Sequence, residues 1–472
     1  MTPRTPEFLE NRTFDEIQPG QSAQLTRTLR LQDIQLFAVA SGDLNPTHLD
    51  SAYARDTGLP DVTAHSMWGG SLVSSLLGNS FPGPGTIYRS QSLHFLAPLH
   101  VGDTLTVTLT CADKNPADLS VRFLCEAVNG EGRRIFTGET VVTAPSFKVR
   151  QPLPTLPDVM LNDTERRYAG LIALTHGLPR VRIDVAWPCS EDALAGPLQA
   201  RDDGLVTPVL VGPRDEIERV AAGMGANLAG IEIIEAAYPH AAAKLAAELA
   251  RDGKVDALMK GSLHTDEFMA AIVSRDAGLR TGRRISHVFV ADVPTYPRPL
   301  LITDAAINIE PGLEEKADIT RNAIDLAHRM GIEVPKVAIL SAVETVTPKI
   351  RSTFEAAALC KMADRGQITG AILDGPLAFD NAISIFAAQA KGIDSEVAGR
   401  ADILLVPDLE AGNMLAKQLH YLAGALLAGV VLGAKVPIVL TSRADTAQSR
   451  SVSCAIAQLL ASKPDKAGAT EQ

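Results

Sequence analysis

The chain has 472 residues, which at about 100–200 residues per domain excludes a single small module and predicts two to four domains. Its 44 Lys and Arg against 55 Asp and Glu leave a formal charge of −11, which argues against a nucleic-acid backbone as the partner. With 46% hydrophobic, 21% charged and only 4% aromatic residues, the composition is that of a folded protein with a mostly aliphatic core.

Met1 to Glu7 holds no apolar run, so no signal peptide is visible. An amphipathic stretch from Leu31 to Ala40 precedes a turn-rich segment, and a helical stretch runs from about His65 to Gly78. Around them, Ser22–Leu29, Thr104–Ala112, Leu119–Val128 and Arg133–Ala144 alternate apolar with polar residues, the period of half-buried antiparallel strands. Asn129-Gly130 supplies a hairpin turn. One long buried helix against an antiparallel sheet is predicted, an α+β arrangement.

Pro145, Pro152, Pro154 and Pro157 then mark a stretch without period, read as a linker over 146–160. Beyond it, short apolar runs alternate with helical patterns: Thr207–Val211, Ala257–Met259, His287–Ala291, Leu300–Thr303, Val337–Ser341, Ala371–Leu373, Ile403–Val406 and Pro437–Thr441. Such runs predict parallel βαβ units with helices on both faces, and ligands beyond the carboxyl ends of the strands. Lys260, Asp304, Glu344, Asp374, Asp408 and Ser442-Arg443 follow those runs, and they are expected in one region. The longest uncharged stretch, Gln418–Ala434, falls short of the roughly 20 apolar residues that span a bilayer and reads as a buried helix of a cytoplasmic protein. The five cysteines are scattered, with no zinc-ligand spacing, and read as free thiols.

The first chemical candidate is Ser41-Gly42-Asp43-Leu44-Asn45-Pro46-Thr47-His48-Leu49-Asp50. Gly42 and Asn45-Pro46 are turn formers, so Asp43 and His48 belong on a tight loop between helices. A carboxylate and an imidazole within reach of one water can remove a proton from it and return one elsewhere, as addition of water to a double bond requires. The alternative is an Asp capping a helix and a His on its surface. The segment resembles the hydratase motif S-G-D-x-N-P-x-H-x-D of the MaoC-like (R)-specific enoyl-CoA hydratases, and Ala64-His65-Ser66-Met67 resembles their A-H-G-M. This resemblance covers roughly residues 15–145 and implies a hot-dog fold. It implies Asp43 and His48 as the acid/base pair, Asn45 as a water-positioning residue, and N–H groups near Ser66 as donors to the thioester oxygen. Ser66 departs from the family's usual Gly. His65 by itself reads as structural.

A second set of segments resembles the phosphate acetyl/butyryltransferase family over roughly residues 160–462: D-G-P-L-A-x-D-N-A at Asp374–Ala382 and A-D-I-L-L-V-P-D-x-E-A-G-N-M at Ala401–Met414. The resemblance implies acyl transfer between CoA thiol and inorganic phosphate, on a two-lobed α/β domain of the isocitrate/isopropylmalate-dehydrogenase-like kind. That chemistry asks for a base, an oxyanion donor and cations for phosphate. Ser442 matches the family's hydrogen-bond donor and Arg443 its anion contact. The Asp that follows this pair in the acetyl-specific members is out of register here, with Asp445 close by and Ser449 near the expected place, so the base is open between Asp445 and Asp374. Arg283, Arg284 and Lys260 are further substrate-binding candidates. The Asp374–Ala382 signature leans toward an acyl chain longer than acetyl, and Lys391-Gly392-Ile393-Asp394-Ser395 matches the family without a chemical role.

The expected organisation is therefore a hot-dog hydratase domain over 15–145 and a phosphate acyltransferase domain over 161–465, with lobe I about 161–298 and 435–465 and lobe II about 299–434. No metal or permanently bound cofactor is expected: CoA thioesters and inorganic phosphate are substrates. No nucleic acid or membrane is expected as partner, and a homo-oligomer is. The alternative is that one half is a non-catalytic acyl-CoA-binding or oligomerisation module. A dehydrogenase of the same broad fold is disfavoured by the Asp374–Ala382 segment.

Overall fold

The computed structural model describes residues 8–157, 159, 161, 164–441 and 445–462. The chain divides into two compact units, Met1–Leu161 and Asn162–Gln472.

In chain order the first unit contains β1 (Phe8–Glu10), β2 (Ser22–Thr28), α1 (Leu31–Ser41), α2 (Pro46–Leu49), α3 (Ser51–Asp56), α4 (Ser66–Asn79), β3 (Ile87–Phe95), β4 (Thr104–Asn115), β5 (Ser120–Val128), β6 (Arg134–Thr143) and β7 (Arg150–Pro152). Five of these strands form one antiparallel sheet in the order β2-β4-β5-β6-β3. Alternation along β4 buries Leu105, Val107, Leu109 and Cys111 on one face. Against that face packs α4 through Trp68, Leu72, Val73, Leu76 and Leu77. The approach is close: a Cβ on Gly69 would stand 2.9 Å from the Phe136 ring. Strand β3 was not anticipated from the sequence; it is an edge strand with almost no buried residue and so no alternating signal. Pairing of β7 with β1 places part of the proline-rich stretch in a two-stranded ribbon.

The second unit contains α5 (Thr164–Ala173), β8 (Val181–Ala186), α6 (Glu191–Asp202), β9 (Val206–Val211), α7 (Arg214–Gly223), β10 (Glu232–Ile234), α8 (Pro239–Arg251), β11 (Ala257–Lys260), α9 (Thr265–Val273), β12 (Ser286–Asp292) and β13 (Leu300–Thr303). It continues through α10 (Leu313–Arg329), β14 (Lys336–Leu340), α11 (Arg351–Asp364), β15 (Ile372–Leu377), α12 (Phe379–Ile383), α13 (Ile385–Ala390), β16 (Ile403–Leu405), α14 (Leu409–Ala423), β17 (Leu426–Leu432), β18 (Ile438–Val439) and α15 (Ala447–Ala461). Helices cover both faces of the sheet. Ile183, Val185 and Met259 pack with α6 and α15, while Ala186, Val209 and Leu258 pack with the alanines of α8.

Three expectations are corrected. The strands form one continuous mixed sheet, β10-β9-β8-β11-β18-β17-β12-β13-β16-β14-β15, rather than parallel sheets. Gln418–Ala434 is not one helix: α14 ends at Gly424, whose φ of 65° is the left-handed conformation glycine allows, and β17 follows, buried at every residue. A short apolar run without polar interruption suits a buried strand as well as a buried helix. Finally, β17 is antiparallel to β18 and to β12, and β12 is antiparallel to β13. The strands β13, β16, β14 and β15 therefore run opposite to β11 and β18, and the polar residues after them do not share one edge of the sheet.

The five cysteines are free. Burial pushes the thiols of Cys189, Cys360 and Cys454 up to about 12, which keeps them protonated near neutral pH. Among the described residues no helix is long and apolar enough to cross a membrane.

Candidate active sites

In the first unit, the motif residues are mostly spent on ending and starting helices. Gly42 closes α1 at φ 73°, and Ser41 Oγ donates to the Phe37 carbonyl and accepts from the Asp43 N–H. Asn45 Oδ1 caps α2, accepting from the Thr47 N–H at 3.1 Å and from its hydroxyl at 3.0 Å, with Pro46 in the first turn. Asp50 caps α3 through the N–H groups of Ala52 and Tyr53. Asp43, exposed, has its Oδ1 on the Asn45 N–H at 3.2 Å.

His48 is turned differently. Its Nδ1 lies 2.8 Å from the Thr63 carbonyl, which can only accept, so Nδ1 carries the proton and Nε2 presents a lone pair. The donor atoms of Asp43, His48 and His65 lie within 4.8 Å of one another. His48 Nδ1 and His65 Nε2 are already committed to main-chain carbonyls, which limits what this set offers to a metal ion. Helix α4 begins with no side-chain cap, and the first-turn N–H groups of Ser66 and Met67, both exposed residues, have no acceptor within the helix. Ser66 is the first residue of α4, and the side-chain oxygen of Asn45 is a helix cap. The contribution of His65 was not legible beforehand, because it depends on a contact spanning residues 43 to 65.

In the second unit, Ser442 and Arg443 lie outside the described residues. Their flanks are tied by Arg450, a residue the sequence reading passed over. Arg450 is 3% exposed, and its guanidinium donates from Nη1 to Thr441 Oγ1 at 3.1 Å and from Nε to the Asp445 carbonyl at 3.3 Å. Burial pulls this guanidinium below its ordinary value, with Asp445 and Asp192 acting against it. Thr446 caps α15 through the Ser449 N–H, so Ser449 is inside the first turn of that helix. Lys260 ends β11, adjacent to β18; it is 3% exposed, and its Nζ lies 3.3 Å from the Gly261 carbonyl and 3.4 Å from that of Leu263.

Asp374 is not brought near Thr441 and Asp445. It lies on the edge strand β15, six strands from β18, about 29 Å along the sheet at roughly 4.8 Å per strand. Its Oδ1 accepts from the Gly375 N–H. Arg283 and Arg284 line a cavity of about 590 Å³ with Arg280, Glu314, Glu315 and Asp318, and both are paired. Arg283 bonds Asp325; Arg284 reaches Asn308 Oδ1 at 2.7 Å and Glu315 at 3.0 Å. Asp304 accepts from the N–H groups of Ala306, Ile307 and Asn308 and from the Asn308 amide, a role as a turn anchor. Lys391 bridges Glu344 at 2.5 Å and Asp380 at 3.2 Å, fastening the segment after β14 to α12. The ammonium holds the Glu344 carboxyl below the usual carboxylate range.

Residues 239–458 match the family model described as Phosphate acetyl/butaryl transferase, and residues 14–124 match the MaoC like domain. A phosphate acetyltransferase of Rhizobium meliloti is 59% identical over 298 residues, which are 63% of this chain and 94% of the relative. A phosphate butyryltransferase of Clostridium acetobutylicum is 43% identical over 280 residues, 59% of this chain and 93% of the relative. The crystal structure of a branched-chain phosphotransacylase from Enterococcus faecalis V583 matches at a TM-score of 0.53 and 28% identity, covering 59% of this chain and 99% of that one.

Proposed function

Because the chain belongs to the phosphate acetyl/butaryl transferase family and carries a MaoC-like domain ahead of that transferase, we propose that it is bifunctional. The first unit hydrates enoyl-CoA to (R)-3-hydroxyacyl-CoA. The second interconverts acyl-CoA and phosphate with acyl phosphate and CoA, acetyl being the favoured acyl group.

The observation that carries the hydratase reading is the His48 Nδ1 to Thr63 bond, which leaves Nε2 as the basic atom of a ring that has a nitrogen within 4.8 Å of the Asp43 carboxylate. In this reading the pair takes a proton from water as its oxygen adds to C3 of the enoyl chain, and returns a proton to C2. The N–H groups at the start of α4 hold the thioester oxygen while negative charge develops on it. Asn45 positions the pair by fixing the α2 start.

For the transferase, Asp445 is the base, Ser442 the donor and Arg443 the anion contact, and Lys260, at the end of β11 beside β18, is a further substrate contact. The preference for acetyl rests on the 59% identity to a phosphate acetyltransferase against 43% to a phosphate butyryltransferase, and replaces the longer chain suggested by the Asp374–Ala382 signature. The domain limits 15–145 and 161–465, and assembly as a homo-oligomer, belong to the same proposal.

The test uses the full chain with crotonyl-CoA for hydration, and with acetyl-, butyryl- and longer acyl-CoA for phosphate-dependent CoA release. Hydration abolished by Asp43→Asn, and transfer abolished by Asp445→Asn, are the expected results. A wild-type chain that performs only one reaction would make the other unit a binding module.

A further inference from the structure

We propose that His65 is the positioning residue of the hydration site, fixing the main chain of Asp43 through its Nε2–H. The inference rests on the reading of Asp43 and His48 as the water-activating pair.

His65 is 2% exposed. Its Nε2 lies 3.0 Å from the Asp43 carbonyl, which can only accept, so the proton sits on Nε2. The other nitrogen, Nδ1, is buried without a hydrogen-bond partner among the described residues. A proton there would be an unpaired buried N–H, which selects the Nε2–H form a second time. The ring is held between Phe37, at a centroid distance of 5.1 Å, and His48, at 4.0 Å and 35° between planes. His65 is also the residue from which α4 starts. One side chain therefore ties the Asp43 turn to the helix end whose N–H groups would hold the thioester oxygen. Relative placement of these two parts decides the rate, and a displacement of about 1 Å can cost about a hundredfold.

Two variants of the full chain separate the two contacts. His65→Gln keeps an N–H donor near the Nε2 position and loses the ring; His65→Phe keeps a ring and loses the donor. With crotonyl-CoA, His65→Phe should lower kcat by about 10- to 100-fold with KM within about threefold, and His65→Gln should recover to within about fivefold of wild type. Transferase activity of the same samples, unchanged, reports that the chain is folded. Wild-type kcat in His65→Phe, or equal losses in both variants, would overturn the proposal. A further measurement needs no variant: ¹⁵N-histidine NMR of the intact chain should show the Nε2–H tautomer for His65, and the Nδ1–H tautomer would overturn the assignment. An inactive wild type overturns the reading of the pair and this role with it, whereas an active wild type with an active His65→Phe overturns this role alone.

Discussion

Arg450 lies flat against Gly196: a Cβ built on Gly196 would stand 2.4 Å from the Arg450 Cβ and 2.8 Å from its Cδ. The same arginine bonds Thr441 and Asp445, on either side of Ser442 and Arg443. Gly196→Ala must therefore push the guanidinium away from both. Overpacking of this kind costs about 1–3 kcal/mol. The expected result is a lower unfolding midpoint together with transferase activity reduced about tenfold or more, and hydration unchanged. An unaltered transferase in a destabilised chain would show that the bonds of Arg450 to Thr441 and Asp445 do not matter to transfer.

Hydration should be the more sensitive activity to changes at the first site. General acid–base groups contribute about 10²- to 10⁴-fold, so Asp43→Asn and His48→Gln should each lose at least about 10² in kcat. Phosphate-dependent CoA release by the same proteins serves as the internal control. Hydration retained within tenfold in either variant, a bound well above ordinary assay error, would remove that residue from the pair.

Two buried titratable groups act on stability in opposite senses. Burial pulls the His287 imidazole down to about 4, against the opposing Asp304 carboxylate. The folded chain thus refuses a proton that the unfolded chain takes near 6.5, so this contribution is complete above about pH 6.5 and is lost as pH falls toward about 4. Asp184 is fully buried, neither carboxyl oxygen has a hydrogen-bond partner among the described residues, and burial raises its carboxyl well above the ordinary value. Its protonated form suits the fold, so stability drains as pH rises above the usual carboxylate range. Denaturant unfolding of the chain from pH 4 to 9 should show a shallower acid decline in His287→Gln and a shallower alkaline decline in Asp184→Asn. Slopes identical to wild type would mean that neither group titrates with folding.

Arg283 and Arg284 are already matched to acidic partners. Largely exposed pairs of this kind contribute about 0–1 kcal/mol. Arg283→Gln should cost no more than that, with the phosphate KM within about threefold of wild type. A large rise in phosphate KM would show that the arginine leaves Asp325 for the substrate.

How much of this was legible depended on how local the signal was. Strands β4, β5 and β6 each bury one face, and the alternation of Leu105, Val107 and Leu109 displays it; β3 buries almost nothing and β17 buries everything, so neither shows a period. The residues from Ser41 to Asp50 specify three helix ends within ten positions, and their geometry follows from capping chemistry alone. The second unit resisted for a different reason. Its candidate residues were grouped by following strands, but their relative direction depends on β12 pairing with β17, residues more than 100 positions apart, as well as on the local antiparallel pairs β12–β13 and β17–β18. Asp374 was misplaced by those pairings and by its edge strand. Arg450 was missed because a buried arginine inside an apolar helix gives no pattern until its partners are seen.

The ribbon of Phe8–Glu10 with Arg150–Pro152 brings the two ends of the first unit side by side, Glu10 opposite Arg150. Such a module can be cut out of one chain and spliced into another, or reopened at the Asn129-Gly130 turn with its old ends joined, without redirecting any strand of its main sheet. That closure at the base makes the unit transplantable, and a hydratase-like module with adjacent ends is well suited to being carried at the front of an unrelated catalytic domain.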